Sequence, residues 1–104
     1  MPQIQRLTLF KIPDAADLDQ ALAAYAKLEA NNQKDGKPYI LQMKAYKLHE
    51  DERSQGYTLA ARTVFASLDD MKYYDNDCPA HGELKATVKP LIKGGPPLVL
   101  YMDF

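Results

Sequence analysis

YILQMKAYKLHEDERSQGYTLAARTVF, residues 39 to 65, decides how the chain is laid out. Two runs rich in β-branched and aromatic residues, Tyr39 to Leu48 and Tyr57 to Phe65, flank the charged turn HEDERSQG, and such runs around a polar turn read as two strands of a hairpin. Helical patterns stand on both sides of this hairpin, and a strand lies beyond each. Upstream, the polar stretch NNQKDGKP with Gly36 and Pro38 breaks both periodicities. Before it, Leu18, Ala21, Leu22, Tyr25 and Leu28 recur at helical spacing behind Pro13 and the capping Asp14. QIQRLTLFKI, residues 3 to 12, opens the chain as a strand, with Ile4, Arg6, Thr8 and Phe10 on one face and Leu7 and Leu9 on the other. Downstream, Ser67 with Asp70 three residues on reads as an acidic capping box for a short helix striped by Leu68, Met71 and Tyr74. Pro79 suits the first turn of the next helix, carrying Leu84, Val88 and Leu91, and Pro90 should end or kink it. GGPP then breaks the chain and LVLYMDF closes it as a strand.

The order βαββαβ is that of an α+β, ferredoxin-like domain: one four-stranded antiparallel sheet with helices on one face. At 104 residues, with 46% apolar and 26% charged, residues 1 to 104 are expected to form one globular domain. Thirteen basic and fourteen acidic residues leave a formal charge of −1, without the basic footprint of a nucleic-acid binder. A lone cysteine closes no intrachain disulfide, and MPQIQRLTLF has neither a signal-peptide h-region nor a membrane span. The expectation is a cytoplasmic protein with no nucleic-acid or membrane partner. On this reading the uncovered face of the sheet carries Ile4, Thr8 and Phe10 with Leu59, Ala61 and Thr63, too apolar for water on so small a domain. A second copy would cover it, which predicts a symmetric homodimer.

The strand RLTLFKI, the stretch GYTLAARTVFASLDDM, the element CPAH and the terminal strand LVLYMDF together resemble the stress-responsive dimeric α/β-barrel (Dabb) family. That resemblance implies two ferredoxin-like protomers whose sheets close into a barrel around a lumen. It includes stress proteins without a settled reaction and a polyketide cyclase that works without metal or organic cofactor. What it implies for the site is a catalytic His81, as the last residue of CPAH, partnered by a tyrosine of the preceding helix. The family's tyrosine falls where this chain has Asp75, so Tyr74 and Tyr73, seven and eight residues before the histidine, both remain candidates. Asp103 matches an acidic position that orients the histidine. Arg6 and Leu59 stand where the cyclase has histidines, and Tyr25 matches a tyrosine of its pocket. Arg6, Thr8, Phe10, Tyr25, Leu59 and Ala61 are then the expected substrate-binding set.

The chemistry of the residues is consistent with that role. An imidazole takes up a proton near neutrality, as enolate formation requires, and a phenol can hold the developing oxyanion. Arg6 on an apolar strand needs an anion: an acidic substrate, an internal aspartate, or water at the barrel mouth. Cys78 just before a helix has either some thiolate character or the role of a small buried hydrophobe. Asp75, Asp77, Cys78 and His81 fall short of a usual metal set, so neither metal nor cofactor is expected. His49, in the charged turn, is expected at the surface. The functional classes left open are a cofactor-independent acid–base enzyme acting on an aromatic or polyketide-like acid, a binding protein using the same lumen, and a purely structural stress-response dimer.

Overall fold

The computed structural model describes residues 2–104. Seven main elements follow in order: β1 (Ile4–Phe10), α1 (Ala15–Asn31), β2 (Ile40–Lys47), β3 (Leu59–Phe65), α2 (Leu68–Asn76), α3 (Pro79–Val88) and β4 (Leu98–Asp103). One antiparallel sheet has the strand order β2-β3-β1-β4, the βαββαβ arrangement read from the sequence.

Local chemistry sets the helix boundaries. The Asp14 carboxylate accepts from the amides of Ala16 and Asp17 at 2.8 and 3.1 Å, satisfying orphan donors at the start of α1. Ser67 does the same for the Asp70 amide at 3.2 Å. The reciprocal half of the expected capping box is not made, because the Asp70 side chain instead takes a 2.7 Å hydrogen bond from Lys34. Leu68 also leaves the expected stripe and stands exposed, while Met71 and Tyr74 are buried. At the α2–α3 junction the Tyr73 carbonyl accepts from both Asp77 and Cys78 amides, at 2.8 and 2.9 Å. Pro79 then starts α3, where its missing N–H costs nothing. Pro90 turns the end of α3 into a short 3₁₀ turn, Lys89–Leu91.

The face assignment needs correction. Ile4, Thr8, Phe10, Leu59, Ala61 and Thr63 are all buried under this chain's own helices, not on the uncovered face. Strand alternation fixes which residues share a face but not which face the helices cover, and β1 is apolar on both. The open face instead carries Leu7 and Leu9, aligned by register with Leu100 and Leu98, and Met102 beside Gln5. It is no less apolar than the expected one: Leu98, Leu100 and Met102 are 39%, 45% and 38% exposed.

Candidate functional site

Breaking the second helical region in two places His81 in the first turn of α3, facing back toward the end of α2. Its Nδ1 lies 2.7 Å from the Tyr74 carbonyl oxygen. A carbonyl can only accept, so Nδ1 carries the proton and Nε2 keeps the basic lone pair. The Tyr74 ring lies flat against the imidazole, with centroids 3.6 Å apart and planes 12° from parallel. Burial pulls the His81 pKa from 6.5 to about 4, helped by the nearby Lys85 and Arg6 cations and opposed by the bond to Tyr74 and by Asp75. The ring is therefore neutral at physiological pH.

Arg6 projects from β1 under α2. Its Nη1 donates to Asp75 Oδ1 at 2.6 Å, its Nε to Thr8 Oγ1 at 3.4 Å, and its guanidinium carbon lies 5.2 Å from the centre of the Tyr74 ring. Of the anions open to Arg6 on sequence grounds, the internal aspartate is the one observed. Asp75 is thus part of the site, a role the sequence alone did not give it. The signal was present: a guanidinium on an apolar strand demands a carboxylate. Nothing in the sequence, however, brings together residues 69 positions apart.

These groups border a cavity of about 250 Å³ between the sheet and α3. Arg6, Thr8, Phe10, Tyr25, Asp75 and His81 are among the residues that line it. Leu84, Lys85, Val88 and Lys89 line one side, with Ile92, Pro97 and Val99 from the closing segment. Sequence reasoning did not single out the two lysines and Val99 as site residues. Burial pushes the Tyr25 phenol up against the opposing pull of Arg6, and does the same to Tyr74, so both stay protonated donors at neutral pH. Two other hollows, between α1 and α3 and beside the turn at residues 48–58, hold no buried titratable side chain.

Four of the expected site residues lie elsewhere. The Tyr73 hydroxyl donates to the Gln33 carbonyl at 2.9 Å and its ring meets Tyr39 edge-on, so of the two candidate tyrosines Tyr74 is the one against His81. Asp103 is exposed at the end of β4 opposite Ile4, and it is the Tyr74 carbonyl that bonds to the histidine. Leu59 and Ala61 belong to the packed core rather than to the cavity wall. The cavity itself lies within this single chain, between sheet and helices, and not in a lumen between two sheets. His49 is exposed as expected, and Cys78 is buried. Among the described residues there is no cluster of three or more His, Cys, Asp or Glu able to hold a metal ion, and no helix long and apolar enough to cross a membrane.

The model of the stress responsive A/B barrel domain family matches residues 4–104. A fusaristatin A biosynthesis cluster protein of Gibberella zeae is 47% identical over 83 residues, which are 80% of this chain and 60% of that protein. The chain thus spans about three fifths of that relative's length. Among solved structures, a dimeric ferredoxin-like protein of unknown function from Jannaschia superposes with a TM-score of 0.78 at 14% identity, covering 98% of this chain and 99% of that one. A hydroxynitrile lyase from Passiflora edulis reaches 0.77 at 17% identity over 99% of this chain and 94% of its own. At such identities the likeness is one of fold.

Proposed function

The chain belongs to the stress-responsive A/B barrel domain family, and on that footing we propose a homodimer in which each protomer carries its own acid–base site for an aromatic or polyketide-like small molecule. The observation that carries the reading is His81: neutral, fixed in one tautomer by the Tyr74 carbonyl, and on the wall of a cavity large enough for a small organic ligand. Membership of a Gibberella zeae relative in a biosynthesis cluster supports a role in small-molecule chemistry. The dimer is supported by the apolar open face and by the dimeric neighbour of the same fold.

The reaction that suits these groups is a redox-neutral aldol closure. His81 Nε2 removes a proton from a methylene flanked by two carbonyls, and the enolate carbon attacks a ketone of the same chain, forming the ring bond. The Tyr25 hydroxyl donates a hydrogen bond to the developing alkoxide, which takes the proton back from His81; loss of water then completes the ring. Tyr74 holds the imidazole plane, and Arg6 with Asp75 fixes the polar wall beside it.

The test is to incubate the protein with a linear poly-β-keto acid and follow the aromatic product. His81→Ala should lower the rate about a hundredfold or more, and Tyr25→Phe about tenfold, with circular dichroism unchanged. Product formation indifferent to His81 would remove the enzyme reading. Saturable binding without turnover would leave a ligand-binding dimer.

A further inference from the structure

We propose that the ligand of this cavity is an anion, a carboxylate with an apolar body, and that Lys89 with Lys85 holds its charge. This rests on reading the cavity as a small-molecule site. His81, Lys85 and Lys89 are spaced i, i+4 and i+8 on α3 and its helical continuation, so they form one stripe along the cavity wall. All three line the cavity.

The charges there do not balance. Three cations, Arg6, Lys85 and Lys89, face it against the single carboxylate of Asp75, and that carboxylate is already bonded to Arg6 at 2.6 Å. The Lys85 ammonium donates to the backbone carbonyl of Asp75 at 3.0 Å, an exposed contact that leaves its charge unneutralised. Lys89 takes part in no ion pair among the described residues. The one acid on α3, Glu83, faces the α1 side and lies 3.8 Å from Lys27. Both lysines are exposed and hydrated, so a neutral guest is tolerated, whereas a carboxylate beside Lys89 gains a cation that has no ion-pair partner among the described residues.

Leu84, Val88, Ile92 and Val99 offer the apolar wall for the rest of such a molecule. Arg6, committed to Asp75, becomes a wall group rather than the primary anchor.

The experiment is calorimetric titration with orsellinic acid and with its methyl ester, which removes the charge and keeps the ring. The acid should bind wild type at least about tenfold tighter than the ester, and Lys89→Gln should weaken the acid about tenfold while leaving the ester unchanged. Lys27→Gln, on the other side of α3, should change neither, and added salt should weaken only the acid. Equal binding of acid and ester, unmoved by Lys89→Gln, would overturn the anion assignment while leaving the small-molecule site standing. A preference for the acid that survives the double change Lys85→Gln with Lys89→Gln would overturn the choice of anchor. If neither compound binds wild type, both this inference and the cavity reading fall.

Discussion

Two arginines stand on neighbouring strands and point to opposite faces of one sheet, and their partners differ. Arg6, on the helix-covered face, has a side chain only 8% exposed and is held by a carboxylate at 2.6 Å. Arg62, on the open face, donates to the amide oxygens of Gln5 and Gln42 at 3.2 and 2.9 Å and lies over the Phe104 ring. Under the helices a charge needs a counter-charge, because burial strips its solvent. On the open face neutral amides suffice, since water still shares the work. The sheet thus divides into a helix-covered, chemical face, where polar groups are matched and titrations shifted, and an open face, the association face of the proposed dimer, where leucines predominate and charge is tolerated only at its polar positions.

The largest effect expected from that division lies on the association face. Leu7 and Leu100 are directly opposed across β1 and β4, so changing both to Glu sets two like charges side by side in the centre of the open face. Each protomer should fold, with dimer affinity falling about a thousandfold or more, roughly 4 kcal/mol. Sedimentation at micromolar concentration checks this. A dimer that persists would mean the protomers meet through another surface.

The next effect belongs to the chemical face and is a matter of pH. His81 in the folded chain titrates at about 4 against an ordinary 6.5, so between those values the unfolded chain binds a proton that the native chain does not. Its contribution is therefore fully present above about pH 6.5, declines as pH falls, and is lost by about pH 4, an amount of roughly 3 kcal/mol. Urea titrations at pH 7 and pH 4.5 should show wild type losing more stability than His81→Gln does. Equal losses would place His81 in contact with solvent. If the protein turns over a substrate, the acidic limb of kcat/KM should likewise fall near pH 4 and not near 6.5.

Legibility in the sequence followed the same division. Hairpin, caps and helix stripes are local patterns, and the element order came from them directly. The orientation of β1 did not, because Leu7 and Leu9 are as apolar as Ile4 and Phe10, and only the position of α2 over Arg6 separates the faces. His81 was legible through the resemblance and through the helix break that delivers it. Tyr74 over Tyr73 was a question of helical phase, answered by the buried Met71 one turn earlier. The orienting role expected of Asp103 did not materialise because the register sets that residue opposite Ile4, while Tyr101, not Asp103, sits opposite Arg6. Lys85 and Lys89 look like ordinary surface lysines until β4 and the 92–97 segment define the cavity beside them.

Truncating a partner of each arginine should sharpen the contrast. Asp75→Ala leaves the Arg6 charge covered and unmatched. Because the Asp75 side chain is 39% exposed, the expected loss is about 2 kcal/mol rather than the larger cost of breaking a fully buried pair. Gln42→Ala, which removes one amide from Arg62, should cost less than about 0.5 kcal/mol. Comparable losses in chemical denaturation would erase the distinction between the faces.

The smallest expected effect is the most selective test of the rule that polar groups under the helices are matched, because one group there breaks it. The Tyr39 ring is buried against Phe65 and Tyr73, yet its hydroxyl has no hydrogen-bond partner among the described residues. Burial raises its pKa, with Cys78 close by, but a thiol sulfur is a weak acceptor and compensates little for lost water. Tyr39→Phe removes the unmatched atom and preserves both ring contacts. Stability should stay the same or rise by up to about 1 kcal/mol, read as a melting temperature unchanged or a few degrees higher. A loss of more than about 1 kcal/mol would mean that the hydroxyl has a partner in solution, the Cys78 thiol or a trapped water. Combining Tyr39→Phe with Cys78→Ala would then separate the two: a thiol partner makes the effects non-additive, and a water leaves them additive.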